Sequence, residues 1–399
     1  MVSHLARLLG AANLSLAEEA VQDAMLRALS SWPYEGVPRN PEGWLFRVAH
    51  NAAIDAIRRR RMAETKTGEL TAELQRAGSR PPGDPSVDQG LRDDELALIF
   101  MCCHPRIPSE SQVALSLKAA CGFSVREIAR AFLADDAAIA QRLVRAKKQI
   151  RDQDLSLGMP GADEVEERID SVLAVIYFMF NEGYSAHQGE DLIRFDLCQE
   201  ALRLGLLMAS SALTRPKVDA LVALMALQGA RMPARVNEAG DLVLLEDQDP
   251  SCWDHEMIAL GFHHFERAAA GHEVSRYHVE AAIAATHAKA SVERPVDWRR
   301  VLELYGQLLE IDPSAPVVQL NRAVAVARVD GPEAGLAAIA PLKQDGKLRE
   351  YHLLLAVEGH FLFEAGRHAE AAEAFRGALA CRCSEPERRF LLRKLGLCE

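Results

Sequence analysis

The residues best suited to a chemical task are cationic, and they come in two runs. Arg142, Arg145, Lys147, Lys148 and Arg151 follow one another closely, and no acid occurs between Ala137 and Arg151. Arg58, Arg59, Arg60 and Arg61 are contiguous. Like charges this close repel, so both runs gain from a polyanion nearby. Each also has a bland reading, as charge offsetting a helix C-terminus or as a solvated face. Trp32 and Trp44 bracket a proline-rich loop, where they either anchor it in a core or stack on bases. Metal and covalent chemistry find less support. His255-Glu256-Met257-Ile258-Ala259 opens like a zinc hydrolase helix but has Ala259 where the second histidine is required. His263 lies further along roughly the same helical side, so a helical metal-dependent enzyme in this central region stays open as an alternative. Its candidates are Asn181, Glu182, Tyr184, His187, Asp191, Asp196, Glu246, Asp247, Asp249, His255, His263 and His264. Cys102-Cys103-His104 and Cys381-Arg382-Cys383 lack tetrahedral zinc spacing and read as small buried thiols in a reducing cytoplasm. There is no Gly-rich phosphate loop, no Gly-x-Ser-x-Gly elbow and no dinucleotide fingerprint, so no cofactor is expected.

Helices must position these groups. Val125, Ile128 and Ala129 recur at helical spacing, with Ser124 and Glu127 arranged as a capping box. Leu133 to Asp136 form a break, and Asp135 and Asp136 suit the positive start of a second helix. That helix turns Ile139, Leu143 and Ala146 inward. The pattern is a helix-turn-helix whose second helix can lie in a DNA major groove, or else a helical pair with a basic face. Further upstream, Leu16 to Ser30 reads as a helix capped by Ser15 with Glu18 at the box position. Ala20, Val21, Ala24, Ala28 and Leu29 form its apolar stripe; Glu18, Glu19, Asp23 and Arg27 stay polar. Three prolines and a glycine make residues 32–41 irregular. Asn40 then caps a helix over about 42–61, with Pro41 in its first turn. Leu45, Val48, Ala49, Ala52 and Ala56 are its buried side, while Arg47, Asn51 and Asp55 fall four apart on the other.

At 399 residues, 49% hydrophobic but 6% aromatic, the chain is expected to be all-α, with long helices packed on small side chains. Its net charge of -11 is unevenly spread: residues 1–155 carry 21 Lys or Arg against 20 acids, and the remainder 25 against 37. A near-neutral front with basic patches and an acidic back suit a DNA-binding part joined to a protein-facing part. The Gly, Ser, Pro and Asp composition of 66–90 reads as a flexible linker between a unit at 1–65 and another at 91–155. From 163 to 290 the pattern is helical and increasingly acidic, with Leu242 to Leu245 the one run resembling a strand. Over 291–399, Leu355, Gly359, Ala371, Phe375 and Ala378 fall at tetratricopeptide offsets, in a degenerate register that needs an insertion around Gly331. Val172 to Phe180 is too short to span a bilayer, so no membrane partner is expected.

LAEEAVQDAMLRALSSWP followed by NPEGWLFRVAHNAAIDAIRRRR resembles region 2 of bacterial sigma-70-type factors of the extracytoplasmic-function class. DDELALIFMCCHPRIPSESQVALSLKAACGFSVREIARAFLADDAAIAQRLVRAKKQI resembles their region 4. VLAVIYFMFNEGYSA and LVLLEDQDPSCWD resemble the long, tetratricopeptide-like C-terminal extension of one subgroup. The resemblance covers nearly the whole chain in the family's order, although it implies a fuller first helix than precedes Ser15. It implies a cytoplasmic, non-enzymatic RNA polymerase specificity subunit. Glu18, Glu19, Asp23 and Arg27 would meet core polymerase. Trp32, Arg39, Asn40, Trp44, Arg47, Asn51, Asp55 and Arg58 to Arg61 would capture and melt promoter DNA. Arg126, Gln141, Arg142, Arg145, Lys147, Lys148 and Arg151 would bind the more distant promoter element, Gln141 and Arg142 by base-edge hydrogen bonds. The acidic extension would modulate the factor, through a protein regulator or an intramolecular contact. A stand-alone helix-turn-helix regulator is the competing reading. It would bind duplex DNA without polymerase.

Overall fold

The computed structural model describes residues 1–9, 13–38, 40–64, 94–152, 162–184, 193–237, 239–290, 295–344, 348 and 351–398. The fold is all-α; the described residues include one antiparallel bridge, between Val236 and Leu242, which touches the run that resembles a strand. Two compact units result, residues 1–175 and 176–399. The sequence-predicted linker, 66–90, lies outside the described residues.

In the first unit, α1 (Val2–Leu9), α2 (Leu14–Glu35) and α3 (Pro41–Glu64) pack together, α2 chiefly on α3. Small residues form the contact: Ala17, Ala20, Ala24 and Ala28 of α2 and Ala49 and Ala53 of α3 are buried. Helix α2 differs from expectation at both ends. It starts at Leu14, so Ser15 lies inside it, and Asn13 occupies the cap position without a side-chain cap bond. It also runs past Ser30 and through Pro33 to Glu35. Proline removes one helical N–H, and here the loss falls in the last turns, beside the exposed Leu29 and Ser30. Gly36, at φ +83°, ends the helix with its N–H donating to the Trp32 carbonyl at 2.9 Å. Asn40 caps α3 as expected, its Oδ1 accepting from Gly43 N at 2.9 Å.

Four more helices complete the part of this unit that carries the second basic run: α4 (Asp94–Cys102), α5 (Ser109–Ala119), α6 (Val125–Ala131) and α7 (Asp136–Asp152). Leu96 to Phe100 are buried, and Gln112 donates to the carbonyls of His104 and Ile107, fixing the α4–α5 turn.

Helix α8 (Ala162–Tyr184) leads into the second unit. There α9 (Phe195–Ala209), α10 (Pro216–Gly229), α11 (His255–Ala268), α12 (Arg276–Ala288), α13 (Trp298–Ile311), α14 (Pro316–Asp330), α15 (Pro332–Ile339), α16 (His352–Glu364), α17 (His368–Ala380) and α18 (Glu385–Gly396) pack largely on chain neighbours. Helix α10 is apolar almost all round and buried over most of its length, as a central helix should be. Gly331, at φ +94°, separates α14 from α15.

Gly359 makes one close approach. A Cβ there would lie 2.7 Å from Cε1 of the buried Phe375 ring. Gly359→Ala is therefore expected to destabilise the unit by about 1–3 kcal/mol through overpacking, read as a lowered denaturation midpoint. An unchanged midpoint would refute this close-packing account.

His287 gives the same unit a pH dependence. It is buried, edge-to-face with Trp298 at 5.4 Å, and burial, aided by the Arg231 charge, lowers its pKa to about 4. An unfolded histidine titrates near 6.5. In this window the unfolded chain binds the proton more readily, so stability is full above pH 6.5 and falls as pH drops towards 4. The loss attributable to this group is about 3 kcal/mol. Denaturant unfolding of the wild type and His287→Gln across that range should show a correspondingly shallower pH slope for the variant.

Candidate nucleic-acid interface

The turn between α6 and α7 is built locally. Ser124 Oγ accepts from Glu127 N at 3.2 Å, and Glu127 Oε2 accepts from Ser124 N at 2.6 Å. Helix α6 closes as a Schellman turn: Ala134 N donates to the Ala129 carbonyl at 2.8 Å and Leu133 N to the Arg130 carbonyl at 2.9 Å. Leu133 takes the left-handed position at φ +49°, usually left to glycine. Ile128, Ala129, Ile139, Leu143, Ala146 and Ile150 are buried, which fixes how α7 rotates about its axis.

That rotation sorts the expected DNA-binding cations. Gln141, Arg145 and Lys148 are exposed and share one face, beside exposed Val144. Ala137, Ala138 and Ala140 are exposed at the start of α7, and Arg126 is exposed on α6. Arg151 is exposed, 3.9 Å from Asp152. Two cations point elsewhere. Arg142 pairs with Glu110 of α5 at 2.7 Å and lies over the Phe132 ring. Lys147 pairs with Glu18 of α2 at 2.7 Å, a contact that joins the expected polymerase-facing helix to α7.

On α2, Glu19, Asp23 and Arg27 are exposed, whereas Glu18 is held by Lys147. Sequence reading assigned Leu29 to the buried stripe; the structure leaves it 74% exposed, with Leu26 at 63% and Met25 at 48%. Met25, Leu29, Trp32, Pro33, Val37 and Leu45 line an apolar groove of about 540 Å³. A signal was present: the apolar arc of α2 is wider than the alanine stripe needed against α3. Trp32 and Trp44 pack edge-to-face with centroids 5.6 Å apart, and both are half-buried. Arg47, Asn51 and Asp55 are exposed along α3, and Asn40 is exposed at its cap. Arg39 and the side chains of Arg58, Arg59, Arg60 and Arg61 lie outside the described residues.

Family models match this geometry in order. Residues 1–62 match sigma-70 region 2 and residues 97–150 match sigma-70 region 4. Residues 168–269 match a family of unknown function, DUF6596. An uncharacterised protein of Rhizobium meliloti is 40% identical over 96% of this chain and 90% of its own length. The chain carries regions 2 and 4 of a sigma-70-type factor, and it belongs to one family with the Rhizobium protein. This sigma-70-type factor also resembles the ECF RNA polymerase sigma factor SigE of Mycolicibacterium smegmatis, at 28% identity over 34% of the chain and 51% of that protein. A small glutamine-rich tetratricopeptide repeat-containing protein of Mycosarcoma maydis is 33% identical over 20% of the chain and 22% of its own length. No solved structure matches.

As a sigma-70-type factor the chain has a role in transcription. No described helix is long and apolar enough to cross a membrane. Its central polar residues are dispersed. His264 is buried and joined to Asp219, His255 and His263 are exposed, Asp249 accepts from Ser251 N, and Glu246 pairs with Arg328. His187 and Asp191 lie outside the described residues. Among the described residues no group of three or more His, Cys, Asp or Glu side chains could hold a metal ion. Cys102 and Cys103 are fully buried, and burial raises both thiols, Cys103 to about 12, so both stay protonated at neutral pH.

Proposed function

We propose that this sigma-70-type factor is of the extracytoplasmic-function class and acts in the cytoplasm as the specificity subunit of RNA polymerase. In this reading residues 1–65 dock on core polymerase and open the promoter, 91–155 bind the more distant element, and 66–90 tether the two. Residues 163–290 and the tetratricopeptide-like 291–399 form a regulatory extension. The observation that carries the reading is the pairing of two surfaces: an exposed apolar groove on α2 and the exposed Gln141–Arg145–Lys148 face of α7. The groove suits a protein partner, and the cationic face suits DNA. The printed name of the mycobacterial relative supports the class assignment.

Reconstitution with core polymerase tests it. The full chain should associate with core enzyme and direct initiation from a subset of genomic fragments, and it should give no transcripts alone. Leu29→Glu, which places a charge in the groove, should weaken core association at least tenfold, the effect of losing one interface anchor of about 1.4 kcal/mol or more. Association unaffected by Leu29→Glu, or tight duplex binding with no polymerase requirement, would reject the assignment.

A further inference from the structure

The second unit contains a cavity that the transcriptional reading does not use. It measures about 650 Å³ and is walled by the 242–253 segment together with residues of α12, α13, α14, α16 and α18. Its lining is largely apolar, including Trp298, Tyr305, Val324, Ala356 and Phe390. This is the size and character of a small-molecule site, where an apolar wall carries a few orienting polar groups.

Two observations define what would fit. The first concerns unsatisfied polar atoms. Among the described residues of the second unit, three buried side-chain polar atoms are without a partner, Trp253 Nε1, Gln248 Oε1 and His287 Nδ1, and a fourth, His352 Nε2, has only Glu387 at 3.3 Å. All four residues line this one cavity. Trp253, His287 and His352 are each more than nine-tenths buried. The Gln248 amide is oriented by its Nε2 donating to the Val243 carbonyl, which leaves the oxygen as the unmatched end. An unmet buried polar group is costly, and a ligand that supplies the missing partner recovers that cost. The unmatched set holds a fixed donor at Trp253 and a fixed acceptor at Gln248, so the complementary ligand carries an acceptor and a donor of its own.

The second observation is charge balance. Arg328 is paired with Glu246 at 2.5 Å and with Glu364 at 3.3 Å. Glu387 lies 3.3 Å from His352 and accepts from Ser384. Lys394 lies beside the Phe390 ring. The wall therefore presents two carboxylates and two cations, with no excess of either sign to select an ion.

We infer that this cavity is a binding site for an uncharged, ring-bearing small molecule, with a carbonyl-type oxygen accepting from Trp253 Nε1 and a donor meeting Gln248. The site is independent of the polymerase reading, because every residue invoked belongs to the second unit.

The test uses 7-amino-4-methylcoumarin, a neutral ring compound with a carbonyl acceptor and an amine donor, whose emission shifts to the blue in apolar surroundings, titrated into the full chain. Saturable one-to-one binding with blue-shifted emission is expected. Ala356→Trp, which fills the cavity, should weaken it at least tenfold. Trp253→Phe, which keeps the ring but deletes the N–H, should weaken it severalfold and shift the bound emission. Leu29→Glu should leave it unchanged, separating this cavity from the apolar groove on α2. Circular dichroism checks that each variant stays folded; should Ala356→Trp fail, Val324→Phe replaces it, and Trp253→Phe preserves the wall. The inference is overturned if the aminocoumarin shows no saturable binding. It is equally overturned if binding is insensitive to both the cavity-filling variant and Trp253→Phe, or is lost with Leu29→Glu.

Discussion

Arg145→Glu combined with Lys148→Glu is expected to reduce polymerase-dependent transcription from this factor's promoters at least a hundredfold at about 0.1 M salt. Both side chains are exposed on one face of α7, and neither belongs to the unit's buried packing, so the fold should survive. The two changes move four units of charge away from the phosphates. By counterion release the two lost cations remove about 1.8 from the log–log dependence of binding on salt, and the added acids weaken binding further by repulsion. Arg145→Gln with Lys148→Gln should remove a similar slope with a smaller loss of affinity, because the cations are lost without adding repulsion. Arg142 behaves differently in this account. Its pairing with Glu110 and its place over Phe132 give it a packing role, so Arg142→Gln should lower stability more than DNA affinity. Unchanged transcription in the double reversal, with the protein folded, would remove α7 from the promoter interface.

The second large effect is structural. Asp219→Ala is expected to destabilise the second unit by about 3–5 kcal/mol. Asp219 lies in the buried helix α10, where Oδ1 is 2.6 Å from His264 Nδ1 and 3.2 Å from Arg267 Nε. Asp219 and His264 side chains are both 6% exposed, so losing the carboxylate strands a buried ring nitrogen. Asp219→Asn keeps a hydrogen-bonding oxygen there and should cost less. Thermal unfolding of the full chain should register Asp219→Ala as a drop of about 10 °C in the transition of this unit. A drop below about 2 °C would mean that the cluster contributes little.

Local signals were read well because their physics is local. The capping box at Ser124 and Glu127 and the Asn40 cap need only neighbours within one turn, and both occur as expected. The inward residues Ile139, Leu143 and Ala146 follow from periodicity alone. Helix α2 departs from its local signals. Pro33 argued for a break, yet one forfeited hydrogen bond near an end did not stop the helix, which Gly36 terminates instead. Leu29 matched a buried spacing, but spacing fixes only which residues share a face, not how much of that face finds a partner.

By itself, the sequence determined that the chain is helical, that its basic runs lie on two separate helices, and that regions 2 and 4 of a sigma-70-type factor come in that order. The first two depend on residue type and short-range spacing; the third rests on resemblance to known sequences. Only the tertiary structure decided which cations of α7 stay exposed, because Lys147 finds its acid 129 positions away on α2. Likewise only folding brings the 242–253 segment to α16 and α18, enclosing unmatched polar atoms whose neighbours in sequence give no hint of them. Long-range pairing and enclosure are properties of packing, which a linear pattern does not encode position by position.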